Sequence, residues 1–188
     1  MTSPSVATPA LQGALTAGNA SIIRCPADFL TRLRKLNEAE IITLFTPLVP
    51  HPPSTALAKN MDPFEPLGRA LPRQVRHVPY RLDYGMTETH ADFLPSSGAV
   101  MIVMCLTENI LSRNPHAFEQ QLRFARGVLK KVEEHRTMPG VPVVLLLVSS
   151  EAVGIMYAKA MQDFPALVMI NDYNPTAFAS AVRVLFGK

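Results

Sequence analysis

The sequence predicts an α/β fold, a three-layer sandwich built on a mostly parallel, six-stranded sheet. Strand-length apolar runs alternate with amphipathic helical patterns along most of the chain. The runs 99–106 and 141–148 are apolar on both faces, which is typical of central strands in a parallel sheet. The 188 residues are 48% hydrophobic, enough to bury the core of one domain.

The first half of the chain contains three predicted strands and one helix. Residues 20–25 form an apolar run, and Pro26 suits the first position of the helix that follows. A β-branched and aromatic run at 41–48 predicts the second strand. In 77–83 apolar and polar residues alternate, and the proline there restricts this strand to an edge or a bulge. The helix after Pro26 carries one apolar stripe, formed by Phe29, Leu30, Leu33 and Leu36.

The second half contains the clearest helix, at 118–135, whose apolar residues recur at intervals of four and three. A helix at 152–161 and a strand at 166–170 follow the buried run 141–148. Asn174 before Pro175 is a good helix start, so the chain is expected to close with a helix.

Two segments fall outside this alternation. Residues 1–19 carry no charge and are rich in Ser, Thr, Ala and Pro, which predicts a flexible tail before a single domain at 20–188. The tail lacks the basic start and apolar core of a secretory signal, so export is not expected. Residues 47–72 contain seven prolines and are predicted to be an irregular insertion.

Composition argues against several classes of function. The net charge of +3 comes from basic residues that alternate with acidic ones, which does not favour a nucleic-acid surface. Cys25 and Cys105 form neither a disulfide framework nor a zinc-binding spacing. No apolar stretch reaches the roughly 18 to 20 residues that span a bilayer, so no membrane contact is expected.

No nucleotide site is predicted. Gly13 and Gly18 have the gap of a phosphate loop, but Asn19 stands where the lysine belongs and Ala20 where the Ser or Thr belongs. The nearest predicted strand follows this stretch instead of preceding it. The five histidines share no ligand spacing, so neither a metal nor another cofactor is expected.

One polar cluster is a candidate for acid–base chemistry. Asp83, His90 and Asp92 follow a strand end, where α/β enzymes place catalytic groups. They would serve a small hydrolase or transferase. An ordinary polar loop explains the same residues without any chemistry.

A basic strip on the long helix is a candidate protein interface. It consists of Arg123, Arg126, Lys130 and Lys131. A solvated face, paired with acidic residues three and four positions away, is the favoured interpretation. A docking surface is the alternative.

The order of these elements resembles that of the Ras-like small GTPases over residues 20–187. Asp83-Tyr84-Gly85 is similar to that family's magnesium and γ-phosphate motif with one residue missing. The run 141–145 is similar to the strand before the family's guanine-reading motif, but Ser149-Ser150-Glu151 follows it. Of the family's functional residues only Asp83 and Gly85 have counterparts in this chain.

A Ras-like chain without nucleotide motifs is similar to the centromere protein M family, inactive GTPase-like subunits of the inner kinetochore. The opening run 20–24 and the apolar residues of the next helix carry this resemblance. It implies no GTP binding, a nuclear location, and assembly with the helical-repeat partners centromere proteins H, I and K. Without it, a cytoplasmic location is expected. The sequence thus predicts a catalytically inactive, protein-binding scaffold, with the hydrolase or transferase as the alternative.

Overall fold

The protein is an α/β domain with helices on both faces of one sheet. The computed structural model describes residues 16–17, 19–53, 58, 60–135 and 138–187. The strands are β1 (Thr16–Ala17), β2 (Ala20–Arg24), β3 (Ile41–Pro47), β4 (Gln74–Tyr80), β5 (Ser97–Cys105), β6 (Val143–Val148) and β7 (Ala166–Ile170). The helices are α1 (Ala27–Arg34), α2 (Glu65–Ala70), α3 (Glu88–Asp92), α4 (Glu108–Leu111), α5 (Ala117–Glu134), α6 (Glu151–Ala158) and α7 (Pro175–Phe186).

The sheet is mixed, with the order β1-β2-β7-β6-β5-β3-β4. The five strands from β3 to β7 are parallel to one another. Strand β2 runs antiparallel to β7, and the two-residue β1 runs antiparallel to β2. The predicted α/β class is therefore confirmed. The prediction of six strands in a mostly parallel sheet missed the short seventh strand β1 and the antiparallel edge that β1 and β2 form. An apolar run reports that a strand is buried, but it carries no information on the direction of its neighbour.

The five parallel strands follow a doubly wound order. Counted among themselves along the chain, they lie in the order 2-1-3-4-5, since β4 and β3 precede β5 in the sheet. Crossover helices on both faces produce this order. The first long strand, β2, lies at the antiparallel edge beside the last one, β7. The sheet thus does not confirm the Ras-like topology that the resemblance implied.

The two faces of the sheet bury separate cores. On one face Val103 and its alternate neighbours in β5 pack with Leu33 of α1, Leu67 of α2 and Phe178 of α7. On the other face the remaining β5 side chains pack against α5, whose apolar stripe is buried along its length. Strand β5 is buried at all nine positions, as expected for a central strand covered on both sides.

The proline-rich segment 47–72 contributes to the first core. Residues 54–57 and 59 lie outside the described residues, but α2 forms beyond them, with Pro66 in its first turn, where a missing N–H costs nothing. Phe64 is fully buried and stacks on Tyr173, with ring centroids 5.6 Å apart. In the predicted tail 1–19, residues 1–15 and 18 lie outside the described residues, and β1 pairs with β2.

An aromatic cluster joins α5 to the edge of the sheet, and it provides a test of the second core. Phe124 is fully buried and stacks on Tyr80, with ring centroids 3.7 Å apart. Replacing a buried phenylalanine with alanine leaves a cavity that costs about 3 to 5 kcal/mol. We therefore expect Phe124→Ala to lower the free energy of unfolding by about that amount in urea titrations. Ile155→Ala, at a side chain 68% exposed on α6, is the control and should change it by no more than about 0.5 kcal/mol.

Candidate functional site

The candidate site lies where neighbouring strands part at the carboxyl edge of the sheet. Strands β3 and β5 are adjacent, but their ladder ends at the pair Phe45–Ile102, although β3 continues to Pro47 and β5 to Cys105. In the sheet, the other neighbour of β3 is β4, and the other neighbour of β5 is β6, so the sheet continues in opposite directions from this point. In open α/β sheets, ligands bind in the crevice at such a switch point.

Two side chains replace the missing strand partner along β5. The hydroxyl of Tyr80 donates to the carbonyl of Val103 at 2.8 Å. The side chain of Gln121 accepts from the N–H of Cys105 at 2.7 Å and donates to its carbonyl at 2.9 Å. Both side chains are buried, and burial raises the pKa of the Tyr80 phenol, which therefore remains a neutral donor. The open end of β5 is satisfied by side chains and not by another strand.

A second network ties together the loops that follow β3, β5 and β7. Asn109 donates to the hydroxyl of Tyr173 at 2.8 Å, and that hydroxyl donates to the carbonyl of Pro50 at 2.9 Å. Thr107 donates to the side-chain oxygen of Asn109 at 2.6 Å. Burial raises the pKa of Tyr173 to about 12, so the phenol stays protonated at neutral pH. These bonds hold the three loops in fixed positions around the crevice.

The crevice opens into a groove of about 480 Å³, which we call the switch-point groove. Its apolar lining comes from the segment after β3, the segment after β4 and helix α4: Leu48, Val49, Leu82 and Ile110. Its polar lining surrounds these residues and consists of Arg81, Asp83, Asn109, Arg113, Asn114 and Gln120. The volume lies within the roughly 300 to 1,000 Å³ of small-molecule sites.

Two guanidinium groups and one carboxylate set the charge of the groove. Arg81 donates to both oxygens of Asp83, at 3.2 and 2.9 Å. This hydrogen bond lowers the pKa of the Asp83 carboxyl and raises that of the Arg81 guanidinium, so both groups stay ionised. The Arg81 guanidinium also lies 4.5 Å from the ring centroid of Tyr84. The second cation, Arg113, is exposed and has no ion pair among the described residues. The groove therefore has an excess of positive charge.

The three residues proposed for acid–base chemistry lie in different surroundings. Asp83 lines the switch-point groove, 57% exposed. His90 is buried inside α3, where its Nδ1 atom is 3.1 Å from the Thr87 N–H and its ring contacts Phe124. Asp92 lines a separate cavity between α3 and α5. The fold thus does not gather these three side chains around one cavity.

Three residues of the basic strip on α5 already have partners. Arg126 pairs with Asp163 at 2.7 Å, Lys130 lies 3.7 Å from Glu134, and Arg123 donates to the carbonyl of Asp83 at 3.3 Å. Lys131 is exposed at the mouth of the cavity between α3 and α5. Of these contacts, Lys130–Glu134 is of the expected kind, with an acidic residue four positions away, and the docking surface stays a prediction.

Sequence reasoning missed the residues that build the groove. Gln121 carried a signal, because it lies three positions after Phe118 and directly before Leu122, on the buried side of the apolar stripe. A polar residue on that side needs a buried partner. Asn109 and Arg113 carried no such signal, since polar residues are common in a short helix that follows a strand.

Other kinds of site receive no support from the part of the chain that the structure describes. Within it, no helix is both long and apolar enough to cross a membrane. The same residues contain no group of three or more His, Cys, Asp or Glu side chains placed to hold a metal ion.

Comparison with known proteins identifies the fold. No protein-family model matches the sequence, and no curated protein matches it. Among solved structures the chain is similar to a Paenibacillus glycoside hydrolase family 3 β-N-acetylglucosaminidase (TM-score 0.57, 13% identity) and a fungal multi-domain GH3 β-N-acetylglucosaminidase (0.56, 14%). A β-glucosidase from Listeria innocua is also similar (0.52, 16%). Each match covers 89% of this chain but only 28%, 16% and 23% of the respective structures.

These matches correct the expected family. The chain shares its fold with part of larger glycoside hydrolases, so the resemblance to Ras-like GTPases and to centromere protein M was wrong. Both folds alternate strands and helices, and the apolar runs of the sequence do not distinguish one strand order from another. The kinetochore partners and the nuclear location rested on that resemblance alone and are not carried forward.

Gln121 gives the first test of the site's architecture. In Gln121→Leu the N–H and carbonyl of Cys105 lose their partner inside the protein, and each buried, unpaired group costs about 1 to 3 kcal/mol. We expect the free energy of unfolding in urea to fall by about 2 to 6 kcal/mol. Glu119→Leu, at an exposed position on the same helix, is the control. Equal effects of the two substitutions would contradict the role assigned to Gln121.

Cys105 gives a second test, through the dependence of stability on pH. Burial raises the pKa of its thiol from 9.0 to about 12. The unfolded chain therefore ionises this thiol above pH 9 while the folded chain keeps it protonated, and stability falls as the pH rises from 9 towards 12. The expected loss from this residue is about 1.4 kcal/mol per pH unit.

The measurement compares urea unfolding between pH 8 and 10.5 for the wild type and Cys105→Ala. We expect a shallower fall in the variant, and a remaining slope from Tyr80 and Tyr173, whose pKa values burial also raises. Identical slopes for the two proteins would show that the Cys105 thiol ionises as readily in the folded chain as in the unfolded one.

Proposed function

We propose that this chain is a non-enzymatic binding module that takes a small, sugar-sized molecule into the switch-point groove. The observation that carries the proposal is the position of the groove, at the carboxyl edge between β3 and β5. This is the place where doubly wound sheets bind their ligands, because loops from both sides of the switch point can surround a molecule there.

The lining supports a ligand with one apolar face and a polar rim. Leu48 and Leu82 offer an apolar surface on which the C–H face of a sugar ring can pack, and amide and guanidinium groups surround it. The networks of Tyr173 and Gln121 fix the loops in advance, so that little order has to be gained on binding.

The structural neighbours support a sugar-like ligand in particular. They are a β-glucosidase and two β-N-acetylglucosaminidases, and this chain matches part of each. The likeness shows the fold alone, so the sugar-like ligand is part of the proposal, and the binding experiment tests it.

Binding is favoured over catalysis by the chemistry of the groove. Glycoside hydrolysis usually requires two carboxyl groups, one on either side of the bond. Among the described residues that line the groove, Asp83 alone carries a carboxyl group, and Arg81 occupies both of its oxygens. The alternative hydrolase or transferase would need Asp83, His90 and Asp92 to share one cavity, and they line no common one.

A groove-blocking variant tests the proposal. Leu48 is 53% exposed at the groove, so Leu48→Trp should fill the space without disturbing the core. We expect glucose, glucuronate or glucose 6-phosphate to shift amide resonances of the residues lining the groove in the wild type, and the variant to lose most of this binding. Ile155→Trp, at a side chain 68% exposed on α6, is the matched control and should bind as the wild type does. No shifts at the groove with any of the three probes would overturn the proposal.

A further inference from the structure

The hydrogen-bonding groups of the switch-point groove are unequally used. Each polar side chain in it offers a known number of donors and acceptors. The donors and acceptors that have no partner within the described residues determine which groups a ligand must supply. This inference rests on the proposed function and deepens it.

Each side-chain oxygen in the groove already accepts one hydrogen bond within the protein. Both oxygens of Asp83 accept from Arg81, and the oxygen of Asn109 accepts from Thr107. The oxygen of Asn114 accepts from the backbone N–H of His116 at 3.1 Å. The oxygen of Gln120 accepts from Asn114 at 2.7 Å. A ligand that brought only donors or a positive charge would find few free partners.

The free groups are donors. The guanidinium of Arg113 has five N–H groups and no side-chain partner among the described residues. The side-chain nitrogen of Gln120 likewise has no partner there. Arg81 uses Nε and one terminal nitrogen on Asp83, which leaves the other terminal nitrogen available.

The charge of the groove favours the same class of ligand. Two guanidinium groups, Arg81 and Arg113, face one carboxylate, Asp83, and a third guanidinium, that of Arg123, reaches the carbonyl of Asp83. An anion in the groove would thus gain both hydrogen bonds and Coulombic attraction, and the planar guanidinium fits two oxygens at once.

We infer that the ligand of the switch-point groove carries an oxyanion, a carboxylate or a phosphate, which is bound by Arg113. Its apolar face packs on Leu48 and Leu82, and Gln120 and Arg81 donate to its remaining oxygens. A sugar acid and a sugar phosphate share this chemistry, and the experiment separates them.

The test measures the affinity for glucose, glucuronate and glucose 6-phosphate by calorimetry at low ionic strength. We expect the wild type to bind one of the two anions at least about tenfold more tightly than glucose, since hydrogen bonds to charged groups are the stronger ones. Tighter binding of glucuronate would identify a carboxylate ligand, and tighter binding of glucose 6-phosphate a phosphate ligand.

Variants assign the preference to Arg113. Arg113→Gln should lower the affinity for the preferred anion about tenfold more than it lowers the affinity for glucose, whereas Arg113→Lys should keep part of the anion preference. Arg32→Gln, at an exposed arginine on α1 without a partner among the described residues, is the matched control and should bind as the wild type does. Because Arg113 is exposed and unpaired, the variants should keep the wild-type melting temperature.

The outcomes separate the inference from the function on which it rests. Glucose bound as tightly as both anions would overturn the oxyanion, and an unchanged affinity of Arg113→Gln for the preferred anion would overturn its binding by Arg113. Either result would leave the binding module standing. Binding of none of the three probes would overturn the proposed function, and the inference with it.

Discussion

The structure depends on how the open end of β5 is satisfied. When β3 leaves β5 after the pair Phe45–Ile102, the backbone of β5 has no strand beside it on that side, although β6 still pairs with it on the other. Unpaired backbone groups in such a place are costly, and the side chains of Gln121 and Tyr80 supply their partners. Because α5 carries Gln121 and β4 carries Tyr80, these bonds also fix the helix and the edge strand relative to the centre of the sheet.

The groove is a consequence of this arrangement. Two strands that diverge leave a space between the loops that follow them, and the space keeps its shape only if those loops are held in fixed positions. The hydroxyl of Tyr173 does this by joining Asn109 to the carbonyl of Pro50. Other hydrogen bonds at this edge, donated by Arg81, Thr107, Asn114 and the His116 N–H, engage the side-chain oxygens of the groove. The side-chain groups left without a partner among the described residues of the groove are guanidinium and amide donors. The hydrogen bonds at the carboxyl edge thus both fix the positions of the loops and decide which groups remain for a ligand.

The likeness to parts of much longer glycoside hydrolases indicates that this fold is used as one unit of larger proteins. A doubly wound sheet suits such use, because its core is complete on both faces while its carboxyl edge remains free for a ligand or for a neighbouring unit. In this chain that edge has a groove with few groups suited to bond cleavage and several suited to holding an anion. The fold alone therefore does not fix an activity, and the side chains at the switch point decide it.

The sequence by itself determined the α/β class, the buried strands β5 and β6, and the amphipathic helix α5, because burial and periodicity are local properties that each segment records. It did not determine the direction of β2, the strand order or the family, since apolar side chains do not specify which strand lies next to them. The helix in the proline-rich segment was hidden because its support comes from Tyr173 and α7, more than a hundred residues away. Only the tertiary structure brought Arg81, Arg113 and Gln120 to one groove, because residues from separate elements meet only when the strand order is set.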